Sequence, residues 1–131
     1  ALVRKVRESI LKGEMEGLDE AGLNGRIIFE HIKNGNFKLQ EIVEEWIGNV
    51  ASGLVSLVHI FNPELILLGG GISAQKELFV DKVREKVKSE VMPAYRDRLR
   101  LEPAALGNQA GLVGAVYYCM NHLEQEKGKR T

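Results

Sequence analysis

Apolar residues recur at intervals of three and four along the first half of the chain. Leu2, Val3, Val6, Ile10 and Leu11 form one such set, closed by Gly13, and predict a short amphipathic helix. Residues 17–25 read as a loop leading into a second helix marked by Leu23, Ile27, Ile28 and Ile32. The Asn34-Gly35-Asn36 cluster ends it, because these residues favour turns over helix. A third, longer helix follows, with Leu39, Ile42, Val43, Trp46, Ile47, Val50, Leu54, Leu57, Val58 and Phe61 in step. Its first half keeps a charged face (Glu41, Glu44, Glu45), whereas residues 50–61 are apolar or small nearly all round. A helix that loses its polar face is expected to be buried on several sides. Gly48, Ala51, Ser52, Gly53 and Ser56 would let another backbone approach it closely. Asn62-Pro63 stops it, since proline lacks the N–H that continues the ladder.

The period then changes. Leu65-Ile66-Leu67-Leu68 is an unbroken apolar run between proline and glycine, as expected of a strand buried on both faces of a parallel sheet. Gly69-Gly70-Gly71 follows directly. Leu78, Phe79, Val83, Val87 and Val91 predict a helix that begins just after Ser73 and stops near Met92-Pro93. Residues 99–102 read as a second short strand before Pro103. Strand, helix, strand is a βαβ unit with an expected right-handed crossover. Asn108 is placed to cap a last helix over residues 110–123, along which Gly111, Gly114 and Ala115 lie on one side. The charged residues 124–131 should fray.

Two short strands do not make a stable sheet alone; about three are normally needed. The apolar end of the third helix and the first strand therefore ask for partners that this pattern does not encode. The pattern also opens inside a helix at Ala1, so the 131 residues read as a single, incomplete domain of a longer parent. Self-association or docking on the rest of the parent is expected, with a homo-oligomer as the simplest form.

Charge adds an exclusion. Eighteen basic residues balance eighteen acidic ones, so the chain has no basic excess of the kind that binds nucleic acid or a membrane surface directly. No apolar run approaches the roughly 20 residues needed to span a bilayer. With one cysteine, Cys119, neither an internal disulfide nor a cysteine metal cage can form. A reducing compartment, the cytoplasm, is the expected location.

The glycine run is the main candidate for chemistry. Ligands of open α/β sheets sit beyond the carboxyl ends of the strands. Glycine lets backbone approach a ligand with no Cβ in the way, and the helix start behind it offers free N–H groups. The same run also suits a tight turn that needs positive φ. His31, His59 and His122 are scattered over three helices with no metal-ligand spacing, and read as helix-face or core residues. Cys119, in an apolar helix, reads as a small core residue. Ser52 and Ser73 have no histidine nearby in sequence to serve as base. Trp46 reads as helix packing and the acidic run at residues 41–45 as a solvated face. Local chemistry thus supplies binding features and no catalytic set.

Two segments carry a family resemblance. Asn62-Pro63-Glu64-Leu65-Ile66-Leu67-Leu68-Gly69-Gly70-Gly71-Ile72-Ser73 resembles a signature of the ROK family of repressors and sugar kinases. Leu106-Gly107-Asn108-Gln109-Ala110-Gly111-Leu112-Val113-Gly114-Ala115 is similar to the family's closing helix, with Gln109 where an acidic residue is common. Residues 1–7 resemble the helix after the family's zinc segment. The resemblance implies an α/β fold: part of an actin-like, ribonuclease-H-like ATPase lobe, mostly helical with a short parallel two-strand βαβ unit.

It further implies that Gly69, Gly70, Gly71 and Ile72 bind the nucleotide, with the helix near residues 25–29 flanking the adenine. The parent would use ATP with magnesium, and its sugar would be met outside this chain. The family's phosphate loops, catalytic aspartate and histidine-cysteine zinc site have no counterpart in this sequence. The expected function is the nucleotide-side portion of an ATP-dependent hexose kinase, inactive by itself. The alternative is part of the effector domain of a sugar-responsive repressor.

Overall fold

A computed structural model of the chain describes residues 2–13 and 22–128, the side chains of Asn108 and of residues 123–128 excepted. The loop expected over residues 17–25 falls mostly outside the described residues. So do the capping role of the Asn108 side chain and the end of the charged tail. Helix α1 (Leu2–Leu11) turns Leu2 and Val6 inward. Helix α2 (Gly25–Lys33) is capped by Asn24, whose side chain accepts a hydrogen bond from the Ile27 N–H at 3.1 Å. Asn36 caps helix α3 (Phe37–Phe61) in the same way, through the Leu39 N–H at 3.0 Å. Each cap satisfies a donor that the first helical turn leaves open. At the far end Asn62 takes the left-handed conformation, φ 46°, and donates its N–H to the Val58 carbonyl at 2.8 Å.

Strand β1 (Leu65–Leu68) pairs in parallel with β2 (Arg100–Pro103), Leu65 opposite Arg100 and Leu68 opposite Pro103. The connection contains a 3-10 turn at Gly71–Ala74, a π-helical turn at Lys76–Val80, helix α4 (Asp81–Glu90) and the single-turn helix α5 (Pro93–Arg96). A second 3-10 turn, Gly107–Gln109, leads into helix α6 (Ala110–Gly128).

Helix α3 is the axis of the body, with α1, α2 and α4 packed around it. Ile42, Val43, Ile47, Ala51 and Val58 from α3 meet Ile28 and Phe29 from α2, Val83 and Val87 from α4, and Leu101 from β2. Each large aliphatic side chain buried there contributes roughly 1.5–3 kcal/mol. Trp46 stacks on Phe79 with ring centroids 5.1 Å apart, so its expected packing role holds. The acidic face of α3 is solvated as expected, though Glu44 pairs with Lys82 and Glu45 with Lys5.

Several expectations are corrected. Residues 50–61 of α3 are not enclosed: Ala51 and Val58 are buried, while Leu57, Ile60 and Phe61 stand exposed. Strand β1 buries one face only, with Ile66 and Leu68 toward the core and Leu65 and Leu67 toward solvent. The described residues supply a second layer for one side of the sheet and none for the other. Cys119 is exposed rather than a core residue, because α6 packs chiefly on the turn that precedes it. Helix formation after Ser73 is delayed: the Gln75 carbonyl accepts from both Phe79 and Val80, at 3.0 and 3.3 Å, which widens the first turn. The second strand lies one residue later than expected, and α6 continues to Gly128 rather than ending at residue 123. Among the described residues, no helix is long and apolar enough to cross a membrane.

Candidate functional site

The two strands end side by side, and their exits define the site. The Ala104 N–H donates to the Leu68 carbonyl at 2.8 Å, extending the ladder one step past β2. Beyond that point the chains separate. One leads through residues 69–71 and the other through residues 104–107. Between them lies a cleft of about 480 Å³, with Gly70, Gly71, Ser73 and Lys76 on one side and residues 103–107 on the other. It occupies the place where ligands of parallel sheets bind, beyond the strand carboxyl ends.

Gly70 sets the shape of the first wall. Its φ of 90° and ψ of 174° lie in a region open essentially to glycine alone. This conformation turns the chain sharply out of β1, and its carbonyl then accepts two hydrogen bonds from Ser73. The N–H of Ser73 donates at 3.1 Å and its Oγ at 2.7 Å. Ser73 is buried, so its hydroxyl is a brace for the turn rather than a nucleophile in the cleft. Gly107, at φ 47°, forms the matching bend on the opposite wall.

The four residues named from sequence are not equivalent here. Gly70 and Gly71 line the cleft. Gly69 lies behind them, close to Ala104: a Cβ placed on it would stand 3.9 Å from that residue's methyl. Ile72 points the other way, its Cδ1 3.7 Å from where a Cβ on Gly25 would be, and so joins the glycine turn to the start of α2. The segment at residues 25–29 thus reaches the site through Ile72, with Ile28 and Phe29 in the core.

Sequence reasoning missed two contributors: Lys76 and the loop at residues 103–107, with its bend at Gly107. A glycine following the second strand, as glycines follow the first, was the available signal. Lys76 is the one charged residue among the described residues lining the cleft. None of those residues is acidic, and among the described residues no group of His, Cys, Asp and Glu is arranged to hold a metal ion.

Comparison with known proteins gives this arrangement its context. The family model described as ROK family matches residues 1–121. The chain belongs to the ROK family. It is 33% identical over 96 residues to a beta-glucoside kinase of Klebsiella pneumoniae, covering 73% of this chain and 30% of that protein. It is also 26% identical over 111 residues to the DNA-binding transcriptional repressor Mlc of Escherichia coli, covering 82% and 25%. A ROK family glucokinase from Streptomyces griseus, solved in complex with glucose and AMPPNP, superposes with a TM-score of 0.68. It is 29% identical, and the match covers 88% of this chain and 40% of that one. The fold is therefore part of the actin-like ATPase fold of the ROK sugar kinases. The chain spans about a third of the length of the curated relatives it matches.

Proposed function

We propose that this chain is the nucleotide-side portion of an ATP-dependent kinase for a hexose or a hexose-like sugar. The observation that carries this reading is the position of the cleft. It opens at the carboxyl ends of two parallel strands, and its wall is formed by glycine backbone at Gly70 and Gly71. With no Cβ there, the ribose or a phosphate can lie directly against the main chain. The ROK relatives named as sugar kinases, one of them solved with AMPPNP, support the same choice.

Two features divide the labour. The chain's own residues bind and orient the nucleotide, while proton abstraction from the sugar hydroxyl falls to groups elsewhere in the parent. Magnesium would enter with the phosphates, since no acidic side chain among the described cleft residues is placed to hold it. Positioning and charge stabilisation carry most of phosphoryl transfer, so a binding half without a catalytic aspartate should not turn over. Use of ATP fits a cytoplasmic location.

Calorimetric titration of the chain with MgATP and with AMPPNP tests the reading. Saturable one-to-one binding is expected, with no turnover in a coupled assay containing hexoses and MgATP. Absence of binding to either nucleotide overturns it, and sugar-dependent turnover by this chain alone would contradict the division of labour. Because a repressor of comparable coverage is among the relatives, the second reading is part of a repressor's effector domain. The reading frame upstream of the codon for Ala1 separates the two. A glycine-rich phosphate loop and a catalytic aspartate belong to the kinase, a helix-turn-helix to the repressor.

A further inference from the structure

We infer that Lys76 is a phosphate-binding residue of the cleft and supplies most of its attraction for an anionic ligand. The inference rests on the nucleotide reading above and adds a named cation to it. The rest of the lining consists of backbone, methyl groups, Pro103, Leu106 and the internally bonded Ser73. Against that neutral surface, Lys76 is the only charge among the described residues at the cleft.

Lys76 is also uncommitted. Three other lysines of the body are engaged: Lys82 with Glu44, Lys5 with Glu45 and Lys38 with Glu41. Lys76 makes no ion pair or hydrogen bond to another described side chain and is exposed. Its position follows from the turn geometry. The 3-10 turn at Gly71–Ala74 carries the chain back along the cleft, and Lys76 opens the widened π-helical turn behind it. It also borders a smaller concavity of about 250 Å³ shared with Lys33 and Glu77. Lys33 lines that second hollow and not the cleft. A flexible ammonium with no partner among the described residues, beside a glycine wall, matches a phosphate group in charge and in hydrogen-bond donors. The same chemistry predicts weak interest in a neutral sugar at this position.

The test is ATP affinity of the chain and of its Lys76→Ala, Lys76→Arg and Lys33→Ala variants, at low and at raised salt. A charge-assisted contact at an exposed site predicts roughly fivefold to tenfold weaker binding for Lys76→Ala at low salt. Lys76→Arg should retain most of the affinity, Lys33→Ala should change it less than twofold, and the loss in Lys76→Ala should shrink as salt is raised. Thermal unfolding of each variant confirms that the fold is intact. If Lys76→Ala binds ATP as the unsubstituted chain does, or loses affinity equally at all salt concentrations, Lys76 is not the phosphate contact. Equal losses for the arginine and alanine variants also overturn the inference. In each of these cases ATP binding by the unsubstituted chain leaves the nucleotide reading standing. Failure of the unsubstituted chain to bind ATP removes both.

Discussion

Replacing Gly70 by alanine isolates the feature on which the cleft depends. At φ 90° and ψ 174°, Gly70 occupies backbone space that an L-residue enters only at a cost of about 1–3 kcal/mol. The cost is conformational and not a clash, because a Cβ built there meets nothing within 4 Å. Gly69 is the matched control. Its φ is unremarkable, and a Cβ on it would sit 3.9 Å from the Ala104 methyl, an ordinary contact. Gly69→Ala should therefore be neutral or stabilising by up to roughly 1 kcal/mol, through the lower entropy of the unfolded chain. The two neighbouring substitutions should differ by about 1–4 kcal/mol, or roughly 4–15 °C in midpoint for a domain of this size.

Thermal unfolding followed by the fluorescence of Trp46, the only tryptophan, measures this difference, because its ring stacks on Phe79 in the core. If the backbone at residue 70 relaxes instead of unfolding, the carbonyl that accepts from Ser73 moves and the cleft wall is lost. Gly70→Ala then loses nucleotide affinity while Gly69→Ala keeps it. Equal midpoints and equal affinities for the two variants would refute the assignment of the turn to Gly70. A larger loss at Gly69 would refute the packing behind it.

Three further outcomes are expected. The hydrogen bond from Lys82 at 2.8 Å, and next that from Gln40 at 3.0 Å, hold the Glu44 carboxyl below its ordinary value of 4.5. Its contribution is complete above about pH 4.5 and fades as pH falls through the lower folded value, so the chain should outlast Glu44→Gln at neutral pH by no more than about 0.5 kcal/mol. Urea midpoints should converge in acid; a gap that widens there counts against the sign. Arg84 donates from Nε to the Leu101 carbonyl at 2.9 Å and pairs with Asp81 and Glu102, so Arg84→Ala should cost about 1–2 kcal/mol and speed amide exchange in β2. Unchanged exchange there would mean the guanidinium does not hold the strand. Val116 is exposed on α6, so Val116→Glu should change the unfolding free energy by no more than about 0.5 kcal/mol while lowering the mass seen by light scattering at high concentration. The same mass for both proteins would exclude α6 from association.

What the sequence made legible was what local periodicity determines. The three- and four-residue spacing through α3, the turn at residues 34–36, and the apolar run before the triple glycine all specify their structure within a few residues, whereas the asparagine caps at positions 24 and 36 were not read from the sequence. The candidate site was half legible. Glycines after a buried strand point to a ligand site by themselves, but which glycine takes positive φ depends on how the exit from β1 is braced, and the buried Ser73 decides that. Lys76 was not legible, because Gln75-Lys76-Glu77 has the composition of any solvated helix start. Only the shortened 3-10 turn and the π-helical turn after it bring residue 76 to the cleft, and no periodic pattern encodes their combination.

The places where burial was expected and not found are themselves organised. The two edges of the sheet are treated differently. Beyond β2, Arg84 occupies the Leu101 carbonyl, and the charged Arg100 and Glu102 point to solvent. Such an edge discourages pairing. Strand β1 has no charged residue at all, shows Leu65 and Leu67 on its open face, and pairs only with β2 among the described residues. Leu57, Ile60 and Phe61 at the end of α3 are exposed as well, as are Leu112, Val113, Val116, Tyr117 and Met120 of α6. An apolar strand between glycine and proline has no reason to persist in a fold that leaves half of it wet. The asymmetry follows if β1, and not β2, is the strand built to receive a neighbour, with the exposed faces of α3 and α6 as surfaces for the same association. Burial was over-predicted on one face of β1, at the end of α3 and along α6, which are the faces that nothing among the described residues covers.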